Sequence, residues 1–302
     1  MSAAADPVHH LAELPAWSFA GTALAVLGRP VAHSLSPMIH HAALAAMAGA
    51  DSRFASWRYF KFEVDPAELP QALVRLHRAG FLGLNLTVPH KAVAVACLAA
   101  TDDFVRAAGA ANTLIRTPDG WRGANTDGAG LAAALHQEFG LELAGADVLL
   151  LGAGGAARAA AVECLQRGCR SLWIGNRSAE NLAALIRILR PRTHRIPLHG
   201  FDLASPPAGL PVGALVLNAT SLGLKPGDDS PIDLAKIPRP AMVYDMIYRP
   251  PQTALLRQAA ALGLRHANGL SMLVHQGALA LELWTGAAVP VAEMQRAALA
   301  AG

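Results

Sequence analysis

Residue types and spacing point first to phosphate binding. In the run Asp147 to Leu151 followed by Gly152-Ala153-Gly154-Gly155-Ala156-Ala157-Arg158, a glycine cluster joins an apolar strand-like stretch to an alanine-rich helical one. This is the GxGxxA spacing. Gly152 and Gly154 permit a tight turn and close backbone approach, and the N–H groups opening the next helix face a pyrophosphate with a favourable dipole. The plain alternative is a tight strand-to-helix turn. A second strand-like run ends at Asn176-Arg177-Ser178, where the adenosine ribose of a dinucleotide should lie. An NAD site commonly places Asp or Glu there. Arg177 can instead pair with a 2′-phosphate through two parallel charge-assisted bonds, which favours NADP over NAD. The alternative for Arg177 is a surface arginine beside the helix N-cap Ser178.

The amino-terminal half carries a different chemistry, that of holding an oxygen-rich anion and moving a proton. In Gly28 to Pro37, Ser34 and Ser36 stand two apart, so in an extended segment both hydroxyls aim at one carboxylate. Ser36 before Pro37 also reads as a helix N-cap with proline at the first helical position. In Gly83 to Lys91, strand parity puts Leu84, Leu86 and Val88 on one face and Asn85 and Thr87 on the other, two polar groups at the end of a buried strand. Lys91 then opens a helix against the dipole, an odd place for a solvated lysine. Asn112-Thr113 and Asn125-Thr126-Asp127 follow, and Thr126 or Asp127 serves equally well as a helix N-cap.

These residues need elements to hold them. Strand-like runs at 22–28, 57–63 and 82–88 alternate with helical patterns at 38–48 and 66–79, the rhythm of a first α/β domain. From residue 145 a second series begins, with short apolar runs at 147–151, 171–175, 214–218 and 242–245 separated by helices at 156–167, 179–190 and 253–262. Runs with so little alternation suit parallel strands covered on both faces, a doubly wound sheet. The Pro- and Gly-rich stretch 225–240 reads as a surface excursion, and helices follow at 270–284 and 291–299. The first twenty residues match no pattern and read as a mobile extension.

The 302 residues suffice for two cored domains, and 53% hydrophobic against 16% charged residues excludes a disordered chain. The net charge of +3 is scattered, which argues against nucleic acid or a membrane surface as partner. Mean hydropathy is +0.32, yet no apolar run approaches the ~20 residues of a spanning helix. The N-terminus has no basic and apolar signal pattern, and Cys97, Cys164 and Cys169 lack paired spacing, so the expected location is cytoplasmic with the cysteines as core thiols. His33, His40, His41, His90 and His275 lack a metal-ligand pattern, with His40 read as facing solvent, so no metal is expected.

Taken in order, SLSP at Ser34, NLTVPHK at Asn85, GAANT at Gly109, NTDG at Asn125, GAGGAAR at Gly152, NRS at Asn176, NATSLG at Asn218, YDMIY at Tyr244 and NGLSMLVHQ at Asn268 resemble the shikimate dehydrogenase family. The resemblance implies an α/β substrate domain over residues 1–126, completed by helices in 269–302, and a Rossmann-like doubly wound NADP domain over 127–268, with a cleft between them. It implies that Ser34 and Ser36 hold a substrate carboxylate and that Thr87, Asn112, Asp127 and Gln276 contact the acid and its ring hydroxyls, with Tyr248 near the carboxylate. Lys91 and Asp127 become the catalytic pair. Gly152, Ala153, Gly154, Gly155 and Ala156 would hold the pyrophosphate, Asn176, Arg177 and Ser178 the 2′-phosphate, and Met246 and Gly269 the nicotinamide end, with Asp103 placed near the cofactor.

The implied reaction is reversible reduction of 3-dehydroshikimate to shikimate by NADPH, a step toward chorismate and the aromatic amino acids. Hydride delivery to a carbonyl carbon leaves an alkoxide that needs a proton, the role implied for Lys91. Rival readings are a quinate or NAD-using member and a non-catalytic, ligand-sensing paralogue. Ser36, where quinate users often carry Thr, favours shikimate, and retention of Lys91 with Asp127 favours an enzyme. The chain departs from the family at Glu180-Asn181, where a second basic residue is common, and at Asn268 and Ser271, where Asp and Gly are commoner. A monomer and a homodimer are equally compatible with these residues.

Overall fold

The computed structural model describes residues 6–225 and 227–301. The chain divides into two compact units, one running to Thr126 and resuming over Val274–Ala301, the other Asp127–Leu273. In the first unit the elements are β1 (Val8–His9), β2 (Thr22–Gly28), α1 (Ser36–Ala50), β3 (Trp57–Glu63), α2 (Leu69–Arg78), β4 (Gly83–Leu86), α3 (His90–Val93), β5 (Ala100–Thr101), α4 (Asp103–Ala108), β6 (Thr113–Thr117) and β7 (Gly120–Ala124). They build one seven-stranded sheet in the order β1-β3-β2-β4-β6-β7-β5. The first four in that order run parallel, and β6 with β7 forms an antiparallel hairpin against β4.

β2 is central and almost wholly buried, as its uninterrupted apolar sequence requires. β4 is shorter than the run at 82–88 suggested. The ladder stops at Leu86, Val88 is 65% exposed rather than sharing the buried face of Leu84 and Leu86, and Pro89 has no N–H with which to continue it. The hairpin of β6 and β7 turns at Pro118-Asp119-Gly120, residues suited to a tight turn, in a stretch to which the sequence reading gave no element.

The amino-terminal segment is not a free extension from Asp6 onward, and Met1–Ala5 lie outside the described residues. β1 pairs with Lys61 and Phe62 on the edge of β3, and Leu11 and Leu14 of the following 3-10 turn enter the core with Phe62, Leu73 and Leu84. The apolar side chains were present in the sequence, but too few and too irregularly spaced to show a period.

The second unit contains α5 (Asp127–Phe139), β8 (Asp147–Leu151), α6 (Gly155–Gln166), β9 (Ser171–Asn176), α7 (Ala179–Leu189), β10 (Leu198–Asp202), β11 (Leu215–Asn218), β12 (Met242–Asp245), α8 (Ala254–Ala261) and β13 (Arg265–Asn268). Its six strands are all parallel in the order β10-β9-β8-β11-β12-β13. Strand order reverses direction between β8 and β11, the switch point where a doubly wound sheet opens a crevice beyond its strand ends. The stretch 225–240 is more than a surface excursion, since Ile232, Leu234 and Ile237 are buried in this unit's core.

α9 (Leu270–Thr285) and α10 (Val291–Ala300) end the chain. In the first unit the Trp284 indole of α9 donates to the Leu114 carbonyl at 3.0 Å, and α10 packs on α1. Cys164 and Cys169 are buried and Cys97 is half-buried. Among the described residues no helix is long and apolar enough to cross a membrane.

Candidate active site

Polar side chains named from the sequence meet in the interior of the first unit. The serine pair is built differently from the extended segment expected. Residues 32–33 form a turn, Ser36 opens α1, and its N–H donates to the Ser34 hydroxyl at 3.2 Å. The Ser36 hydroxyl is therefore not the helix cap. It lies 5% exposed against the Tyr59 phenol, which donates to Asn85 Oδ1 at 2.7 Å. Asn85 does not emerge with Thr87 toward a ligand. It is buried, and its Nδ2 donates to the Asn112 carbonyl at 3.0 Å and to Thr113 Oγ1 at 3.1 Å.

Asn112 is the hub. Its Oδ1 accepts the Thr126 N–H at 2.8 Å and the Thr113 hydroxyl at 3.0 Å, while its Nδ2 donates to Thr126 Oγ1 at 2.9 Å and to Gln276 Oε1 at 3.2 Å. The backbone N–H can only donate, so the carboxamide orientation is fixed: Asn112 turns its NH2 toward Gln276, whose Nε2 is then its donor end. Thr126 consequently spends its hydroxyl on Asn112.

His40 does not face solvent. It is fully buried, stacked on Tyr59 at 4.0 Å, with Nδ1–H donating to the Ser36 carbonyl at 2.7 Å. Burial lowers its pKa to about 4, so the ring is neutral. Burial likewise pushes the Tyr59 phenol well above the usual tyrosine range. Neither residue was singled out for a role in the site from the sequence, and only the buried contact between distant segments reveals one.

Thr87 follows β4 half-buried, and its carbonyl accepts the His90 N–H at 2.8 Å. Lys91, in α3, is half-buried, and its carbonyl accepts the Ala111 N–H at 2.8 Å, tying the lysine's backbone to the residue before Asn112. Asp127, first residue of α5 and next in the chain to Thr126, is 2% exposed. Asp103 is ion-paired with Arg106 on the exposed side of α4, whose Val105, Ala107 and Ala108 are buried.

The second unit holds the glycine turn at its switch point. Gly152 has φ +114°, and a Cβ there would lie 2.9 Å from the Ala219 carbonyl oxygen, so only glycine serves. Gly154 caps α6 and is exposed, which leaves the first-turn N–H groups of Gly155 and Ala156 open to an anion. Asn176 Nδ2 donates to the Ser178 carbonyl at 2.9 Å, and the Ser178 hydroxyl caps α7 by accepting the Asn181 N–H. Arg177 between them is exposed.

Met246 and Gly269 are brought into contact. The Gly269 N–H donates to the Ile247 carbonyl at 3.1 Å, and a Cβ on Gly269 would stand 2.1 Å from the Met246 oxygen. Under this loop lies Asp245, which accepts from Asn218 Nδ2 at 2.9 Å, the Ile247 N–H at 3.1 Å and the Thr253 hydroxyl at 2.6 Å. Burial raises its pKa against the pull of those donors. Tyr248 follows, half-buried. The departures in the last motif have local partners: Asn268 Oδ1 accepts the Leu270 N–H at 3.1 Å, and Ser271 meets the Tyr244 phenol at 3.1 Å.

Comparison with known proteins follows the same segments. Residues 26–114 match the family described as shikimate dehydrogenase substrate binding domain, and residues 269–299 match the shikimate 5′-dehydrogenase C-terminal domain. The shikimate dehydrogenase (NADP(+)) of Symbiobacterium thermophilum is 42% identical over 287 residues, 93% of this chain and 95% of that protein. That of Thermosynechococcus vestitus is 40% identical over 280 residues, 91% of this chain and 93% of its own. Among solved structures, shikimate 5-dehydrogenase from Thermus thermophilus in complex with NADP(H) and shikimate superposes with a TM-score of 0.79 at 36% identity, covering 93% of this chain and all of that one.

Proposed function

The chain belongs to the shikimate dehydrogenase family, and from that premise we propose that it catalyses the reversible, NADPH-dependent reduction of 3-dehydroshikimate to shikimate. The observation that carries the reading is the polar cluster of the first unit: Asn112 spends its two N–H protons on Thr126 and Gln276, which makes the Gln276 amide nitrogen the donor end we assign to an acceptor-rich ligand. Ser34 and Ser36 offer hydroxyls to the carboxylate, and Thr87, Asn112, Gln276 and Tyr248 complete the substrate contacts.

The residues of the second unit fit a dinucleotide. The close approach at Gly152 and the open N–H groups of α6 suit a pyrophosphate held by Gly152 to Ala156. Asn176, Arg177 and Ser178 would take the 2′-phosphate, and Met246 and Gly269 the nicotinamide end. When bound, NADPH supplies the hydride. The chain's own task is the proton. Lys91 donates it to the substrate oxygen that gains charge and takes it back in the oxidative direction, and Asp127, buried at the start of α5, is the other member of the catalytic pair that the resemblance implies.

An assay following NADPH absorbance with shikimate and NADP tests the reading, with quinate and NAD in parallel arms. The expected outcome is the highest kcat/KM for shikimate with NADP. Equal or better turnover of quinate removes the substrate assignment, a higher kcat/KM with NAD removes the cofactor assignment, and NADP binding without turnover of either acid shows a sensor.

A further inference from the structure

We propose that Thr113, which touches neither substrate nor cofactor in the reading above, is a positioning residue that fixes the Asn112 carboxamide for substrate binding. The inference rests on that reading for the identity of the ligand and on hydrogen-bond direction for the rest. Thr113 is fully buried and sits between two amides. On one side Asn85 Nδ2 donates to its Oγ1 at 3.1 Å, and on the other Oγ1 donates to Asn112 Oδ1 at 3.0 Å.

The directions are forced from both ends. Asn85 Nδ2 also donates to the Asn112 carbonyl, an acceptor only, so its Oδ1 must accept and the Tyr59 phenol must donate to it. Asn112 Oδ1 accepts the Thr126 N–H, so its Nδ2 is the end facing Gln276. Between these fixed amides one hydroxyl must accept and donate at once. A threonine oxygen does so, and a methyl in its place would leave an Asn85 proton and an Asn112 lone pair short of a partner in a buried site. The chain of donors thus runs Tyr59, Asn85, Thr113, Asn112, Gln276, and by holding the Gln276 carbonyl end it leaves the Gln276 amide nitrogen as the donor end assigned to the ligand.

The test exploits the two ways of cutting threonine down. Thr113→Val keeps the shape and removes the hydroxyl, whereas Thr113→Ser keeps the hydroxyl and removes a buried methyl. Polarity and packing roles therefore predict opposite rankings. The expected result is that Thr113→Val lowers kcat/KM for shikimate about tenfold, the scale of one buried hydrogen bond, with KM for NADP within about twofold of wild type. Thr113→Ser should keep kcat/KM near wild type even if its melting temperature falls.

The reverse ranking, or a parallel rise of both KM values in Thr113→Val, overturns the proposal. Wild-type turnover of shikimate in the same experiment separates its failure from that of the functional reading. Should the substrate be another acid, crystal structures of the two variants decide. Unchanged Asn112 contacts to Thr126 and Gln276 in Thr113→Val overturn the proposal, and a displaced carboxamide that Thr113→Ser restores supports it.

Discussion

At the scale of single residues, the proton-transfer role assigned to Lys91 has a kinetic signature. Removing a general acid while leaving Ser34, Ser36, Asn112 and Gln276 in place should act on the chemical step, so Lys91→Ala is expected to lower kcat by roughly 10²-fold or more with a smaller change in KM for shikimate. Unchanged kcat in steady-state assays would take Lys91 out of the mechanism. His40 gives a prediction about stability instead. Its folded pKa of about 4 lies below the ordinary 6.5, so the unfolded chain takes up a proton that the folded chain refuses. The stability it contributes is therefore complete above pH 6.5 and lost as pH falls toward 4, about 3 kcal/mol in all, with His41, also lowered by burial, adding to the slope. Urea unfolding at pH 7 and pH 4.5 should show this loss, and His40→Phe should be less stable at pH 7 but flatter with pH; equal slopes for the two proteins would refute the assignment. These residues also mark where the sequence stopped being legible. Positions assigned to the ligand under the proposed function, such as Asn112 and Lys91, stand in compact motifs. Their support does not: Tyr59 reaches Asn85 across 26 residues and Asn112 reaches Gln276 across 164, and no local spacing announces such pairs.

At the scale of elements, legibility followed burial. β2, β8 and β12 are apolar runs and β3 an aromatic run broken by Arg58 and Lys61, and their limits in the two sheets are those of the strand-like runs. β10 and β13, the two edges of the second sheet, are short, partly exposed and carry His, Arg and Asn, so nothing in their composition distinguishes them from loop. The amino-terminal segment escaped notice for a related reason, yet it covers an edge. β1 bonds Lys61 and Phe62, the His41 imidazole accepts the Tyr59 N–H at 3.0 Å, and Trp17 packs edge-on against Phe60 with ring centroids 4.9 Å apart. Deleting Ser2 to Ala20 should uncover that part of β3 together with the pockets of Leu11, Leu14 and Trp17, a loss of about 5 kcal/mol at the usual worth of buried apolar side chains. The shortened chain is expected to melt well below the full chain and to sediment as a larger species through its exposed edge. The same melting temperature and sedimentation as the full chain would show that the segment only lies on the surface.

At the scale of the whole molecule, each unit closes its own core, and the first draws on both ends of the chain while the second is one continuous stretch. Ligands assigned to different units should then stabilise different unfolding transitions. A ligand at a hundred times its Kd adds about 2.7 kcal/mol to the structure that binds it. The tryptophans make the two readable, since Trp173, stacked on His199 at 4.0 Å, belongs to the second unit while Trp17, Trp57, Trp121 and Trp284 belong to the first. In thermal unfolding followed by fluorescence, Trp173→Phe reports the first unit alone, and its difference from wild type reports the second. NADP is expected to raise the Trp173 transition more than the other, and shikimate, with Ser34, Ser36, Thr87, Lys91, Asn112 and Gln276 assigned to it in the first unit against Asp127 and Tyr248 in the second, to raise the first unit's transition more than the Trp173 transition. Shikimate raising the Trp173 transition more than the other, or NADP doing the reverse, would contradict the assignment of most substrate contacts to the unit built from the two chain ends and of the cofactor to the unit between them.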